Sequence, residues 1–450
     1  MTKISFFGAS QEVTGSNFLV ESENSKIIVD CGLFQGKSFY DTRNENPLPY
    51  SVSGKNVSAC VTHAHIDHIG RLPKLIKSGF RGRIFSNPAT REFAELMLSD
   101  SLGVLQKEAA KKNKKPFYEM GDITELMKLW ETVEYGEKFK LHDFEVNFKD
   151  AGHILGSAMI ELEKDGKKIV FTGDLGNPPM PLLRKTEEIT DANILIIDST
   201  YAGKNHEDIK ERKLILERII EDTVKKKGVL IIPAFSLERT QEILFELNDL
   251  IEKGRVPKIS VFVDSPLAIN LIPIYKKYER YYNKETKYII NSGDDVFNFP
   301  NLRFTLKTEE SKEINDVPPP KMIIAGSGMM NGGRINHHAR RYLKGEENTV
   351  LFIGFQAAGT LGRKIQEGIK KVKIFGEEIA VKARVQTIHG YSAHPDQNGI
   401  FNFTQNTSET VKKVFAVHSE PKNAMFLIQR IRDYLGVEAI APKNGDSFEV

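Results

Sequence analysis

The 450-residue chain is 40% hydrophobic and 27% charged, with a formal net charge of +3. That balance excludes a disordered or fibrous chain, and it gives no general attraction to polyanions, so any nucleic-acid partner must be argued from local features. At roughly 150 residues per domain, two or three domains are expected.

The two cysteines, Cys31 and Cys60, sit in or beside apolar runs. They are expected as buried thiols of a reducing compartment, not as a disulfide or as ligands. The N-terminal MTKISFFGASQEVTG lacks a cationic segment followed by an apolar one, and no apolar run approaches the roughly 20 residues that span a bilayer. A cytoplasmic protein is expected.

In chain order, KISFFGA, NFLVES, KIIVDCG, SACVTHA and RIFSN predict strands bounded by Gly, Asn or Ser. A helix is expected from about Asp67 through IGRLPKLIKSG. A longer one is expected over TREFAELMLSDSLGVLQKEAAKK, where apolar residues recur every three or four positions. FEVNFKDA, SAMIELEKD, KKIVFTGD and ANILIIDST predict further strands. From about residue 205 the rhythm changes to strict alternation. The charged helix HEDIKERKLILERIIEDTVKKKG precedes the strand VLIIPAF, and LERTQEILFELNDLIEKG precedes KISVFVDS. The helix PLAINLIPIYKKYERYYN follows, then KMIIAGSG, NHHARRYLKGE, NTVLFIGF and TLGRKIQEGIKK alternate as strand and helix. Strands apolar on both faces between helices imply a parallel sheet covered on both sides. The last 70 or so residues return to the first style, since ARVQTIHGYSAH and KKVFAVHSE each end a strand on a histidine. The expected division is residues 1–204 and 376–450 as one domain, with 205–375 inserted as a second α/β domain.

The stretch THAHIDHIG crowds His63, His65, Asp67 and His68 into one loop after a strand. Side chains two apart on an extended segment point the same way, so His63 and His65 can converge on one ion. Asp67 and His68 then serve a second ion. Zinc takes about four His, Asp or Cys ligands and leaves a place for water in catalytic sites, so the loop alone is insufficient. His153 in AGHILGSA, Asp174 in FTGDLGN and His418 in FAVHSE supply the rest. The count closes with His63, His65 and His153 for one ion and Asp67, His68 and His418 for the other. Asp174 is shared, because a carboxylate has two oxygens.

HAHIDH, with Asp30 in VDCG upstream and His153, Asp174 and His418 downstream, resembles the metallo-β-lactamase fold, an αββα sandwich with metals at one edge. The resemblance implies two Zn2+ per chain, with Asp30 orienting metal-binding histidines instead of binding metal. Iron-binding flavoprotein relatives place glutamate where His65 stands, which favours zinc here. Asp198 in ILIIDSTYA, His394 in YSAHPD and His418 in VHS, together with the α/β insertion, resemble motifs A, B and C of the β-CASP nucleases. The nearest likeness is to prokaryotic relatives of the endonuclease subunit of the cleavage and polyadenylation specificity factor. GASQEVTGSNFLVE and SGMMNGGRINHH are similar to that group as well. A histidine at motif C is associated in this family with RNA, so the resemblance implies a ribonuclease, with a homodimer as a possible assembly. A narrow cleft between the domains is expected to admit single-stranded RNA and exclude duplexes.

Two metal ions would activate water for phosphodiester hydrolysis, with Asp67 in the catalytic set, and the leaving oxygen then needs a proton. His394 is the candidate for that general acid, or for a donor to the phosphate, with Asp198 holding its imidazole in position. For binding RNA, PAFSLERTQE puts Ser236 and Arg239 at a strand-to-helix junction where backbone amides attract anions. The glycine-rich loop AGSGMMNGGR offers Ser327, Gly328 and Arg334, and YSAH offers Ser392. KKNKK and KKK are assigned no role. A hydrolase of a small ester or thioester, and an inactive RNA-binding subunit, remain as alternatives. Internal cutting and trimming from the 5′ end are not distinguished by these residues.

Overall fold

Alternating side chains decide which way each strand faces. In Phe144–Asp150 the residues Phe144, Val146 and Phe148 are buried while Glu145 is exposed. In Ile194–Asp198 and Lys413–Val417 both faces are apolar. Ile194, Ile196, Phe415 and Val417 enter one core, whereas Leu195, Ile197, Val414 and Ala416 enter another. Such strands need cover on both sides.

The computed structural model describes residues 1–36, 41–206, 209–354, 356–357 and 359–450. Glu207 and Asp208, within the charged helix expected from residue 206, and Phe355, ending the run NTVLFIGF, lie outside the described residues. The chain divides into two units, residues 1–205 with 393–450, and residues 206–392.

The first unit holds two seven-stranded sheets. One runs in the order Ser447–Glu449, Lys3–Phe6, Phe18–Glu21, Lys26–Val29, Val57–Cys60, Ile84–Ser86, Trp130–Thr132. The other runs Glu438–Ile440, Lys413–Val417, Ile194–Asp198, Lys167–Phe171, Ala158–Lys164, Phe144–Asp150, Phe139–Leu141. Their inner faces share one core, where the Phe6 ring lies 5.6, 5.0 and 5.9 Å from those of Phe18, Phe415 and Phe448. Gln397–Gln405 and Pro421–Leu435 are helices that cover the outer face of the second sheet through Ile400, Leu427, Ile428 and Ile431. Pro88–Lys111 is a helix packed beside Trp130–Thr132 of the first sheet. The layers are those of an αββα sandwich.

Lys26–Val29 pairs in parallel with Val57–Cys60, and Ile194–Asp198 pairs in parallel with both Lys167–Phe171 and Lys413–Val417. Each sheet therefore presents several C-terminal strand ends along one edge, the usual place for a ligand in such sheets.

The helix expected from Asp67 is two short ones, Ile66–Ile69 and Leu72–Lys77. The break falls where the Arg71 amide donates to the Cys31 carbonyl at 2.8 Å, just ahead of Pro73 in the first turn of the second helix. Met120–Lys128 is a helix that the apolar pattern does not announce.

The second unit is built on a six-stranded sheet, Leu302–Phe304, Ser260–Asp264, Lys321–Ala325, Val229–Pro233, Thr349–Phe352, Arg384–Thr387, with every pair parallel. Residue 375 is too early an end for it. Arg384–Thr387 is its edge strand, and Val372, Ile374 and Ile379 of the hairpin Lys371–Ile374/Glu377–Ala380 join its core. ARVQTIH shares its histidine ending with KKVFAVH, yet its backbone pairs in the other unit. No helix among the described residues is long and apolar enough to cross a membrane.

Trp130 is the only tryptophan, it is buried in the first unit, and its Nε1 donates to Ser86 Oγ at 2.8 Å. Its emission therefore reports that unit alone. Phe6→Ala leaves a cavity among three rings and is expected to destabilise the unit by ~3–5 kcal/mol. The check is the urea midpoint of Trp130 emission, which should fall clearly.

Candidate metal centre and surrounding residues

Strand ends supply most of the predicted ligands. His63 and His65 come just after Val57–Cys60, His153 after Phe144–Asp150, Asp174 after Lys167–Phe171, and His418 directly after Lys413–Val417. Asp67 and His68 lie in the short helix Ile66–Ile69. The histidine loop sits close because residue 32 is glycine: a Cβ there would lie 1.5 Å from the Asp67 carbonyl oxygen. Asp30 and His418, each one residue past a strand, have φ of 58° and 60°. That left-handed backbone costs a non-glycine residue ~1–2 kcal/mol and turns the chain sharply where the site begins.

One donor set comprises His63, His65, His153 and Asp174, whose ligand atoms lie within 4.8 Å of one another. His63 Nε2 is 3.1 Å from His65 Nδ1, and His65 Nδ1 is 3.3 Å from His153 Nε2. Asp174 Oδ2 is 3.6 Å from His63 Nε2 and 3.5 Å from His153 Nε2. Four donors about 2.0–2.1 Å from a tetrahedral zinc would stand about 3.3–3.4 Å apart. These four suit zinc.

A second set comprises His68, Asp174 and His418. Asp174 Oδ1 is 3.4 Å from His68 Nε2 and 3.8 Å from His418 Nδ1. His68 Nε2 and Asp174 Oδ1 are buried without a hydrogen-bond partner. The two atoms face each other across 3.4 Å as an ion pair, and a cation between them would satisfy both. Asp67 stands outside this 4.8 Å group. Burial and then Asp174 push its carboxyl upward, while His68 and His418 oppose them.

Behind the donors stands Asp30. His68 Nδ1 lies 2.7 Å from Asp30 Oδ2, Thr62 donates to Asp30 Oδ1 through its amide at 2.9 Å, and Ser16 Oγ donates to Oδ2 at 3.1 Å. With Nδ1 toward the Asp30 carboxylate, His68 turns Nε2 to the cluster. Burial works against charge on His68, but Asp174 and Asp30 outweigh it and hold its pKa well above the ordinary value. His63 is held well below it by burial and by His68. Burial alone would raise the Asp174 carboxyl, but His68, His394 and His418 together hold it well below the carboxylate range.

Sequence reasoning misses Ser16 and Thr62. Ser16 links the loop GASQEVTGSN to the centre, since its amide also donates to the Asp67 carbonyl at 2.9 Å. Thr62 Oγ1 lies 3.0 Å from His63 Nδ1. Their only sequence signal is adjacency to marked motifs. Cys31 and Cys60 are free and buried, and burial pushes both thiols up, against any thiolate role.

Asp198 and His394 meet beside the first set. His394 Nδ1 is 2.8 Å from Asp198 Oδ2, and His394 Nε2 is 4.0 Å from Asp174 Oδ2. Asp198 is wholly buried and pinned by the Leu175 amide at 3.2 Å, the Thr200 amide at 2.9 Å and Thr200 Oγ1 at 2.7 Å. Burial disfavours protonated His394, but Asp198 and Asp174 outweigh it and raise its pKa. Asp174, Asp198 and His394 also lie within 4.8 Å of one another.

The residues expected to hold substrate lie in the second unit. Ser236 Oγ is 3.0 Å from Ser265 Oγ, next to Gly326. Ser327 Oγ donates to the Gly332 carbonyl at 3.2 Å, and Gly328 packs on the Phe235 ring, which a Cβ would meet at 2.7 Å. Ser392 is buried, its amide donating to the His389 carbonyl at 2.8 Å. Both arginines already bond to internal acceptors. Arg239 is buried, donates to the Tyr391 carbonyl at 2.6 Å and pairs with Glu242. Arg334 donates to Asp264 at 2.7 Å and to the carbonyls of Thr305 and Leu306 at 2.8 Å each. Buried carboxylates and free carbonyls claim these guanidinium groups before any ligand does.

Three family models match successive stretches of the chain. The Beta-Casp domain family matches residues 240–365, the family described as "Zn-dependent metallo-hydrolase RNA specificity domain" matches 378–442, and "Anti-Pycsar protein Apyc1" matches 3–225. Ribonuclease TTHA0252 of Thermus thermophilus is 34% identical over 94% of this chain and 94% of its own. An RNase J-like protein of Methanocaldococcus jannaschii is 30% identical over 99% of each chain. Transcription termination factor FttA of Methanosarcina mazei is 30% identical over 98% of this chain and 70% of its own. A solved protein of unknown function from Enterococcus faecalis shares the fold, with a TM-score of 0.53 and 11% identity over 99% of both chains.

Asp30→Asn removes the charge behind His68 without changing volume. It is expected to weaken metal binding at this centre about 10–100-fold. Competition with a chromogenic chelator measures this, with unchanged Trp130 emission as the control for folding.

Proposed function

The chain belongs to the β-CASP family of metallo-β-lactamase-fold ribonucleases, and on that premise we propose that it hydrolyses phosphodiester bonds of single-stranded RNA with two zinc ions, cutting chiefly within the strand. The observation that carries the reading is a shared carboxylate. Asp174 borders two donor sets and an oriented imidazole, His394, at once.

His63, His65 and His153 would hold one ion and His68 and His418 the other, with Asp174 between them and Asp67 completing the second set. When bound, the ions would make water nucleophilic near neutral pH and offset charge building on the phosphate. The chain's own part is orientation and proton supply. Asp198 fixes His394 through Nδ1, leaving Nε2 on the side of Asp174, where a proton can pass to the leaving oxygen. Thr200 and the Leu175 amide keep Asp198 from turning away. Ser236 and the Ser327 loop remain candidates for holding the RNA backbone. Arg239 and Arg334 act through the segments they hold, Tyr391 and the Asp264 region.

The test is a time course of the zinc-loaded protein on single-stranded RNA labelled at the 5′ end in one sample and internally in another, beside a matched DNA. Discrete shortened 5′-labelled fragments are expected from RNA, while immediate release of labelled mononucleotide would replace internal cutting with 5′ trimming. RNA left intact with both zinc positions filled overturns the ribonuclease reading. His394→Ala is expected to keep the zinc content and lower turnover at least ~100-fold. Loss of zinc together with turnover would make His394 a ligand instead of a proton donor.

A further inference from the structure

The second unit contains a cationic groove that neither the metal chemistry nor the core explains. Thr308–Glu313 and Ile335–Tyr342 are helices bordering a concavity of about 590 Å³. One side offers Thr308, Ser311, Lys312 and Asn315, the other Arg334, His337, His338 and Arg341. Both runs have the i, i+3, i+4, i+7 spacing of one helix face, with Asn315 in the turn after the first helix and Arg334 capping the second. A stripe facing a neighbouring helix is ordinarily apolar. Here it is polar on both sides, and Arg340 and Lys344 add to it while Glu377 is the one acidic lining residue.

Two observations separate this groove from an ordinary solvated face. The first is its floor. Asp264 is wholly buried, and its Oδ1 accepts from Thr305 Oγ1 at 2.6 Å and Arg334 Nη1 at 2.7 Å. Its Oδ2 accepts from Ser311 Oγ at 2.7 Å and lies 2.7 Å from His338 Nε2. One carboxylate thus ties both helices together and holds Arg334 and His338 in place. The second is its rim. The hairpin Lys371–Ile374/Glu377–Ala380 turns at Phe375 and Gly376, with φ of 50° and 85°. Asn or Gly ordinarily fills such a turn, and a bulky residue at positive φ is disfavoured. Yet Phe375 stands there 55% exposed, its ring 4.5 Å from that of His337.

Cations that follow a phosphate backbone, beside exposed aromatic faces that stack bases, are the combination that single-stranded nucleic acids require. We propose that this groove binds a segment of single-stranded RNA outside the scissile bond, with Lys312, Arg341 and Lys344 on phosphates and Phe375 with His337 stacking a base. The proposal rests on RNA being the substrate. An acidic protein segment would match the cations and leave the aromatic pair unused, so RNA is the better fit.

The test uses the zinc-loaded full chain carrying His394→Ala to slow cleavage, with a fluorescein-labelled uridine oligomer of roughly 30 nucleotides, read by anisotropy across a salt series. Lys312→Gln/Arg341→Gln is expected to weaken binding about tenfold or more and to flatten the slope of log affinity against log salt by about 1.4, two phosphates at about 0.7 each. Phe375→Ala is expected to weaken binding about 5–100-fold with the salt slope unchanged, since stacking releases no counterions. Melting curves matching the parent exclude misfolding. An unchanged slope in the double variant, in a protein whose His394 form cleaves RNA, overturns the groove and leaves the ribonuclease reading standing. The expected losses in a protein whose His394 form cleaves nothing support the groove and overturn that reading instead. Polyglutamate bound as tightly as RNA, with Phe375→Ala without effect, also overturns the proposal in favour of an acidic protein partner.

Discussion

Asp174 is the constraint on which the first unit's chemistry depends. A buried carboxylate is unfavourable unless charge or hydrogen bonds surround it. Here Oδ2 faces His63, His153 and His394, and Oδ1 faces His68 and His418. Those five imidazoles come from four separated stretches of chain and both sheets. Parallel pairing on each side of Ile194–Asp198 is what brings Asp174, Asp198 and His418 to one edge. Left-handed backbone at Asp30 and His418 is the local strain that this convergence imposes.

How much of this the sequence discloses depends on whether a side chain's partner is local or distant. HAHIDH carries its meaning within six residues, and the isolated His153, Asp174 and His418 become interpretable once that loop demands partners. The sandwich is legible for the same reason: alternation in FEVNFKDA and unbroken apolar runs in ANILIIDST follow from one-sided and two-sided burial. Asp30 and Asp198 can be placed only by likeness to a family, because their work is to receive hydrogen bonds from residues far along the chain. Ser16 and Thr62 carry no such mark. A hydroxyl that supports a carboxylate looks like any other serine or threonine until the fold closes.

The differences between expectation and structure have a physical pattern too. ARVQTIH and KKVFAVH are alike as strings, but strand membership is decided by which backbone offers hydrogen bonds, and Thr349–Phe352 claims the first. Arg239 and Arg334 lie where a strand meets a helix and where a glycine-rich loop ends, places that attract anions. The same electrostatics attracts the protein's own acceptors. Arg239 finds Glu242 and the Tyr391 carbonyl, and Arg334 finds Asp264 and two carbonyls. Folding fills an anion-seeking position with an internal partner whenever one is near, because a buried guanidinium left unpaired is far less favourable than one already bonded.

That rule also says where unsatisfied positive charge can remain. A net charge of +3 on 450 residues implies no affinity for RNA. Cations distant from carboxylates matter more than their sum, since screening confines each to about 10 Å at ordinary salt. In the second unit, Asp264 takes up Arg334 and His338 at the groove floor, and Glu377 faces Arg340 at 3.3 Å. Lys312, Arg341 and Lys344 line the same concavity beyond those pairs. Lys312, Arg341 and Lys344 are exposed, and such a row of like charges is mutually repulsive even where salt screens it. It becomes favourable when a polyanion lies between, and the exposed Phe375 at the hairpin tip gives that polyanion's bases somewhere to rest.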